Sequence, residues 1–148
     1  FLNKVTPDSV TVYNGSHLGF PEGFPSIPYS QWRERSVEQW NKIAKISEYP
    51  FMPNVTLGWD VSPRTIQTDI WENVGYPYTR TVIHNTPSEF KLAMLSALDF
   101  LKRHDYPFKH IIINAWNEWT EGCYLEPDTV NRFGYLEVIR EITKMTNR

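Results

Sequence analysis

The chain has 148 residues, enough for one domain with a substantial core and too few for two comfortable ones. Hydrophobic residues make up 41% and charged residues 22%, a balance that excludes wholesale disorder. Fifteen Lys and Arg against seventeen Asp and Glu leave a net charge of -2, so a nucleic-acid partner is not expected.

Aromatic content is high at 15%, with six Trp, which suits a core, an apolar interface or a pocket that stacks flat rings. Cys123 stands alone, so no internal disulfide is expected. No stretch approaches the roughly 18 apolar residues that span a bilayer. The start, Phe1-Leu2-Asn3-Lys4, carries neither an initiator Met nor a signal-peptide core, which reads as a fragment and leaves the compartment open. Two sequons, Asn14-Gly15-Ser16 and Asn54-Val55-Thr56, read as chance occurrences.

Three strand-then-helix units follow one another. Val10 to Tyr13 is short and β-branched, and a Gly/Pro-rich stretch to Pro28 separates it from a helix over about Gln31 to Glu48. Val37, Trp40 and Ala44 share a stripe of that helix, with Ile43 beside it, and Pro50 lies past its end. The second strand starts at Asn54, because Pro53 interrupts the run Phe51 to Leu57. After a long connection, Gly58 to Asn85, the segment Thr86-Pro87-Ser88-Glu89 reads as a capping box with Pro at the first helical position. Phe90, Met94, Ala97 and Leu101 then recur at helical spacing, widened by Leu95 and Leu98. The third strand begins at His110, and its run Ile111-Ile112-Ile113 predicts burial on both faces, as in a parallel sheet wrapped by helices. A last helix is expected over Asn131 to Met145, with Phe133, Leu136, Ile139 or Arg140, and Ile142 to Met145 at fitting spacing. Repeated β-then-α order means α/β architecture with parallel strands, either part of a larger barrel or a small open sheet.

The most informative segment, Asn114-Ala115-Trp116-Asn117-Glu118-Trp119-Thr120-Glu121-Gly122, directly follows the Ile strand. It therefore sits at a strand's carboxyl end, where α/β folds bind ligands. Glu118 and Glu121 are three apart, so in an extended chain they point to opposite faces. They line one pocket only if the backbone turns, which Gly122 eases. Paired carboxylates flanking a bond are the equipment of glycoside hydrolysis, and Trp faces stack on sugar C–H surfaces. The bland alternative is two solvated loop glutamates beside core tryptophans.

The stretch Asn114 to Asp128, NAWNEWTEGCYLEPD, resembles the signature region of glycoside hydrolase family 99 and of the WbsX-like proteins related to it. Gly58-Trp59-Asp60 followed by Ser62-Pro63-Arg64 is similar to a second WbsX-like signature, and Ile83 to Phe90 also resembles that group. The similarity runs over residues 10 to 146. It implies a (β/α)8 barrel of TIM type, of which the chain supplies the C-terminal part as a single partial domain. The resemblance further implies Glu121 as the general acid/base and Glu118 as the group that assists the sugar's own 2-hydroxyl, a retaining route through an anhydro-sugar. Hydrolytic members carry His where this chain has Thr120, a departure that leans toward the WbsX-like side.

Other residues carry paired readings. Asp60 and Arg64 follow a strand end and either hydrogen-bond sugar hydroxyls or a phosphate, or form an ion pair bracing the loop. Trp59 either stacks on substrate or packs in the core. Asn114, Trp116, Asn117, Trp119 and Glu126 are further substrate-binding candidates. Tyr13 and Asn14 end the first strand, Asn14 as a turn residue. Asp128 reads as the cap of the last helix. His17, His84, His104 and His110 lack metal-ligand spacing, and no cofactor motif or phosphate-cradling Gly-rich loop is present. Nothing in the sequence pairs Cys123 with a base. The expected function is a carbohydrate-active enzyme cleaving or transferring glycosidic bonds of a glycan or glycoside through Glu118 and Glu121. The alternatives are a WbsX-like glycosyltransferase of polysaccharide biosynthesis and a non-catalytic sugar-binding remnant.

Overall fold

The computed structural model describes residues 6–146. In chain order the elements are β1 (Ser26–Pro28), α1 (Tyr29–Ile46), β2 (Asn54–Thr56), β3 (Thr81–Ile83), α2 (Pro87–Lys102), β4 (Ile112–Asn114), β5 (Asn117–Glu118), β6 (Cys123–Tyr124) and α3 (Gly134–Thr146). The fold is mixed α/β. Strands β2 and β4 pair in parallel with Val55 opposite Ile113, β1 and β3 pair in parallel, and β5 and β6 form a short antiparallel ribbon. Short 3₁₀ turns cover Gly15–Leu18, Ser62–Arg64 and Trp119–Glu121.

The three expected strand segments do lie side by side and parallel, but the first is reduced to one bridge, Val10 to Phe51. Side chains replace its ladder. Thr11 Oγ1 donates to Met52 O (2.8 Å), and Asn54 Nδ2 donates to the carbonyls of Val12 (3.1 Å) and Tyr13 (3.0 Å). With those carbonyls taken, the backbone bends at Asn14, whose buried Oδ1 accepts from Ser16 N at 2.8 Å. The β1–β3 pair lies in stretches that read as loops. Its β-branched run Thr81-Val82-Ile83 is anchored by Val82 N donating to Trp59 O at 2.7 Å.

Helix α1 starts two residues earlier than expected because Pro28 stands in extended geometry at its cap. It buries Tyr29, Trp32, Ser36 and Trp40, while Val37, Ile43 and Ala44 are only half-buried. Helix α2 begins as the sequence predicts, with Thr86 Oγ1 accepting from Glu89 N (3.3 Å) and Pro87 at the first position. Only half of the capping box forms. Thr86 N–H goes to His84 O (3.0 Å), and the Glu89 carboxylate turns to Arg33 at 3.7 Å. Much of the aromatic excess is core, since Trp40 and Phe51 both meet Phe100 edge-on, at 6.0 and 6.2 Å. Each such pair adds about 0.5–1.5 kcal/mol beyond area burial.

Two expectations for the third unit are corrected. Ile112 is 38% exposed and Ile111 and Ile113 are half-buried, because among the described residues β4 has a strand partner only on its β2 side. Ile111 and Ile113 face an apolar trough of about 650 Å³ between α2 and α3. Helix α3 starts at Gly134 rather than Asn131, and its buried stripe is Tyr135, Val138 and Ile142, with Phe133 and Met145 exposed. The reason is Asp128. It caps the turn before α3, not α3 itself, accepting from Val130 N (2.8 Å) and Asn131 N, which delays the helix.

Candidate active site

Parallel strands place the carboxyl ends of β2 and β4 on the same side, so the segments Leu57–Asp60 and Asn114–Gly122 meet there. They interlock through two glycines. A Cβ on Gly58 would lie 2.4 Å from the Gly122 carbonyl oxygen, and one on Gly122 would lie 2.9 Å from Asp60 Cβ. Gly122 also holds φ 59°, left-handed backbone that favours glycine. The seam is closed by Asp60 N donating to Glu121 O at 2.7 Å.

The backbone between the two glutamates makes the turn that the sequence requires. Glu118 ends β5 and caps the 3₁₀ turn Trp119–Glu121. In a 3₁₀ turn, residues three apart eclipse rather than oppose each other, so both carboxylates come to one face. Their meeting point is Arg64. Arg64 Nη2 lies 3.3 Å from Glu118 Oε2, and Nη1 lies 3.0 Å from Glu121 Oε1. Nε and Nη2 also donate to Thr120 Oγ1, at 3.0 and 2.8 Å, and Nη1 donates to Tyr76 OH. The bond to Tyr76 and the charges of Glu121 and Glu118 raise the Arg64 pKa against the opposing effect of burial.

Arg64 is delivered by the turn Ser62–Arg64, whose Ser62 N donates to Asp60 Oδ1 at 3.0 Å. Asp60 thus steadies the start of the turn, and the alternative of an Asp60–Arg64 ion pair gives way to the pairs Arg64 makes with Glu118 and Glu121. The two glutamates differ in surroundings. Glu121 is only 7% exposed, and its Oε2 is buried with no hydrogen-bond partner, whereas Glu118 is half-buried at the rim.

The tryptophans divide by position. Trp59 is buried, with Nε1 donating to Thr79 Oγ1 at 3.0 Å, so it packs in the core. Trp116 is 54% exposed and presents its ring to solvent. Trp119 stacks on Tyr124 at 3.6 Å, and its Nε1 donates to Glu126 Oε2 at 2.6 Å, which gives Glu126 a local partner. Asn117 is exposed opposite Tyr124 in the β5–β6 register. Asn114 is buried behind the site, its carbonyl accepting from Leu57 N (3.0 Å) and Cys123 Sγ (2.9 Å). Burial pushes the Cys123 thiol up to about 11, which leaves it a poor nucleophile at neutral pH. Tyr13 is exposed.

Thr120 and Tyr76 escaped the sequence reading. The signal for Thr120 lay in its position between the two glutamates. Tyr76 sits mid-loop with no local pattern to mark it. Among the described residues no group of His, Cys, Asp or Glu is placed to hold a metal ion, and no helix is long and apolar enough to cross a membrane.

Parallel strands thus bring two carboxylates and an arginine together at the end of the strands where α/β folds bind ligands. The family model described as "Glycosyltransferase WbsX" matches residues 24–139, and the chain belongs to that family. It is also 25% identical over 151 residues to the "Uncharacterized protein WxcX" of Xanthomonas campestris pv. campestris, in strain B100 and in strain ATCC 33913 alike. Those alignments cover 91% of this chain and 20% of the relatives, so the chain spans about a fifth of their length. No solved structure matches it.

Proposed function

We propose that this chain carries the reacting end of an enzyme that makes or breaks glycosidic bonds, with Glu118 and Glu121 as the working pair. The observation that supports this most directly is the convergence of both carboxylates on Arg64 at the carboxyl ends of parallel strands. Glu121 has one oxygen held by Arg64 and a second, Oε2, that makes no hydrogen bond, and in this reading Glu121 is the residue that hands a proton to the leaving glycosidic oxygen. Glu118, half-buried at the rim, takes in this reading the role of accepting a proton from a sugar hydroxyl. Trp116 offers the apolar platform, with Asn117, Trp119 and Glu126 along the rim, Asp60 and Arg64 on the facing turn, and Asn114 buried behind them.

Membership of the WbsX family favours transfer to an acceptor hydroxyl in polysaccharide biosynthesis, and the glutamate pair suits hydrolysis equally. In either case the bond from the anomeric carbon to the leaving oxygen breaks, that oxygen takes a proton, and the incoming hydroxyl or water gives one up. The three βα units fit a larger (β/α)8 barrel, of which residues 1–148 form one partial domain. The open edge of β4, the apolar trough beside it and the greater length of the relatives support that reading.

The test is a glycan array and a glycoside panel run on the full-length protein beside Glu121→Gln. Cleavage or transfer that the variant loses supports the proposal. Glycan binding that is unchanged in the variant, with no turnover by either protein, would favour the sugar-binding alternative.

A further inference from the structure

Arg64 looks at first like a ligand for sugar hydroxyls or phosphate, but its guanidinium has no nitrogen left for one. Nε bonds Thr120, Nη1 meets Tyr76 and Glu121, and Nη2 meets Glu118 and Thr120. A planar fork with every nitrogen engaged is held in one orientation, and the groups it holds are fixed with it. We propose that Arg64 is the positioning residue of the glutamate pair, setting where Glu118 and Glu121 stand instead of contacting substrate. The assignment rests on the reading of those two residues as the reacting pair.

Two features make the arrangement specific. The first is that Arg64 arrives from the connection after β2 while both glutamates sit on the connection after β4, so one guanidinium ties the two halves of the site. The second is that its anchors flank the glutamates. Thr120 lies between them in sequence, and Tyr76 reaches in from within the long loop. Glu121 has no other side-chain partner among the described residues, so without Arg64 neither of its oxygens would have one. Thr120 then accepts two bonds from the fork, a task that a short hydroxyl side chain performs at this spacing.

The experiment uses the full-length protein and kinetics on whichever glycoside or acceptor it turns over. Arg64→Gln is expected to lower kcat by about 10²-fold with KM held within about threefold, since a misplaced reacting group costs that much. Arg64→Lys keeps the charge without the fork and should recover little of the loss. Methylguanidine added to Arg64→Gly should restore at least about tenfold, and Arg64→Gln combined with Glu118→Gln should be no slower than the worse single variant. A raised KM with kcat kept, full recovery by Lys, or additive losses would overturn the assignment. If Arg64→Gln does not fold, Tyr76→Phe and Thr120→Val loosen the fork instead, and unchanged kcat in both would overturn it. Thermal midpoints give a reading free of activity. Non-additive shifts between Arg64→Gln and Glu121→Gln support the tether, and additive shifts refute it. Full activity in Glu118→Gln and Glu121→Gln would remove the proposed function alone, leaving the midpoints to decide the tether.

Discussion

The backbone N–H of Asp60 donates to the carbonyl of Glu121 at 2.7 Å, joining the segment after β2 to the segment after β4. This bond lies outside the regular ladders, yet it sets the site. It aligns the turn that carries Arg64 with the turn that carries both glutamates, so the side-chain contacts follow from the backbone seam.

The seam depends on two residues without side chains. Gly58→Ala puts a methyl group 2.4 Å from the Gly122 carbonyl, and backbone cannot swing aside as a side chain would. Gly122→Ala meets Asp60 Cβ at 2.9 Å and must also hold φ 59°. Each should destabilise by about 1–3 kcal/mol, with Gly58→Ala the worse. Urea unfolding of the full-length variants checks this. Activity should fall further than stability, because the glutamates shift with the seam.

The two tryptophans nearest the strand ends should separate cleanly. Trp59→Ala empties a core position and should cost about 3–5 kcal/mol. Trp116→Ala removes an exposed ring and should change stability by no more than about 0.5 kcal/mol. If Trp116 stacks on sugar, that variant should raise KM about 3- to 10-fold, the equivalent of one lost stacking contact. Paired unfolding and kinetic measurements on both variants read the division.

The repeated units were legible because their signals are local. The β-branched runs at Val10 and Ile111, Pro50 past the end of α1 and the Thr86–Pro87 cap each act over a few residues. Asp128 was legible as a cap but not as the cap of a separate turn, since Asx turns and helix starts share their first hydrogen bonds. Trp59 and Trp116 are the same residue type at comparable strand ends, and only tertiary packing assigns one to the core. Ile112 read as buried from its neighbours, whereas its exposure depends on a strand edge that a run of three residues does not reveal. The contacts of Arg64 are the least local of all. Tyr76 reaches it from the long loop and Thr120 and both glutamates from the turn after β5, and no spacing rule connects these segments to Arg64.

Cys123 provides a pH test. Its thiol is pushed up to about 11 by burial, against 9.0 for a free thiol. Below pH 9 both folded and unfolded states hold the proton, and the group has no effect on stability. Between about pH 9 and 11 the unfolded chain releases the proton while the folded one keeps it, so stability falls as pH rises. The full loss is about 2–3 kcal/mol on a scale of 1.36 kcal/mol per unit. The buried hydroxyls of Tyr29 and Tyr135, also raised by burial, add losses of the same sign at higher pH. Cys123→Ala should flatten the slope of unfolding free energy between pH 9 and 10, and alkylation of native protein at pH 8 should be slow.

The glutamates themselves are separated by leaving group. Glu121→Gln keeps shape and hydrogen bonding to Arg64 but has no proton to give, so a substrate with a poor leaving group should lose about 10²–10⁴-fold in kcat/KM. An activated leaving group departs with little protonation and should lose much less. Glu118→Gln removes assistance to the sugar's hydroxyl, which is needed whichever group leaves, so both substrates should suffer alike. Measuring kcat/KM for the two substrates in both variants yields four ratios. Equal losses for Glu121→Gln on both substrates would reject Glu121 as the proton donor. Activity near that of the unaltered protein in either variant would return that glutamate to a structural partner of Arg64, since the ion pairs at 3.0 and 3.3 Å serve the fold without any chemistry.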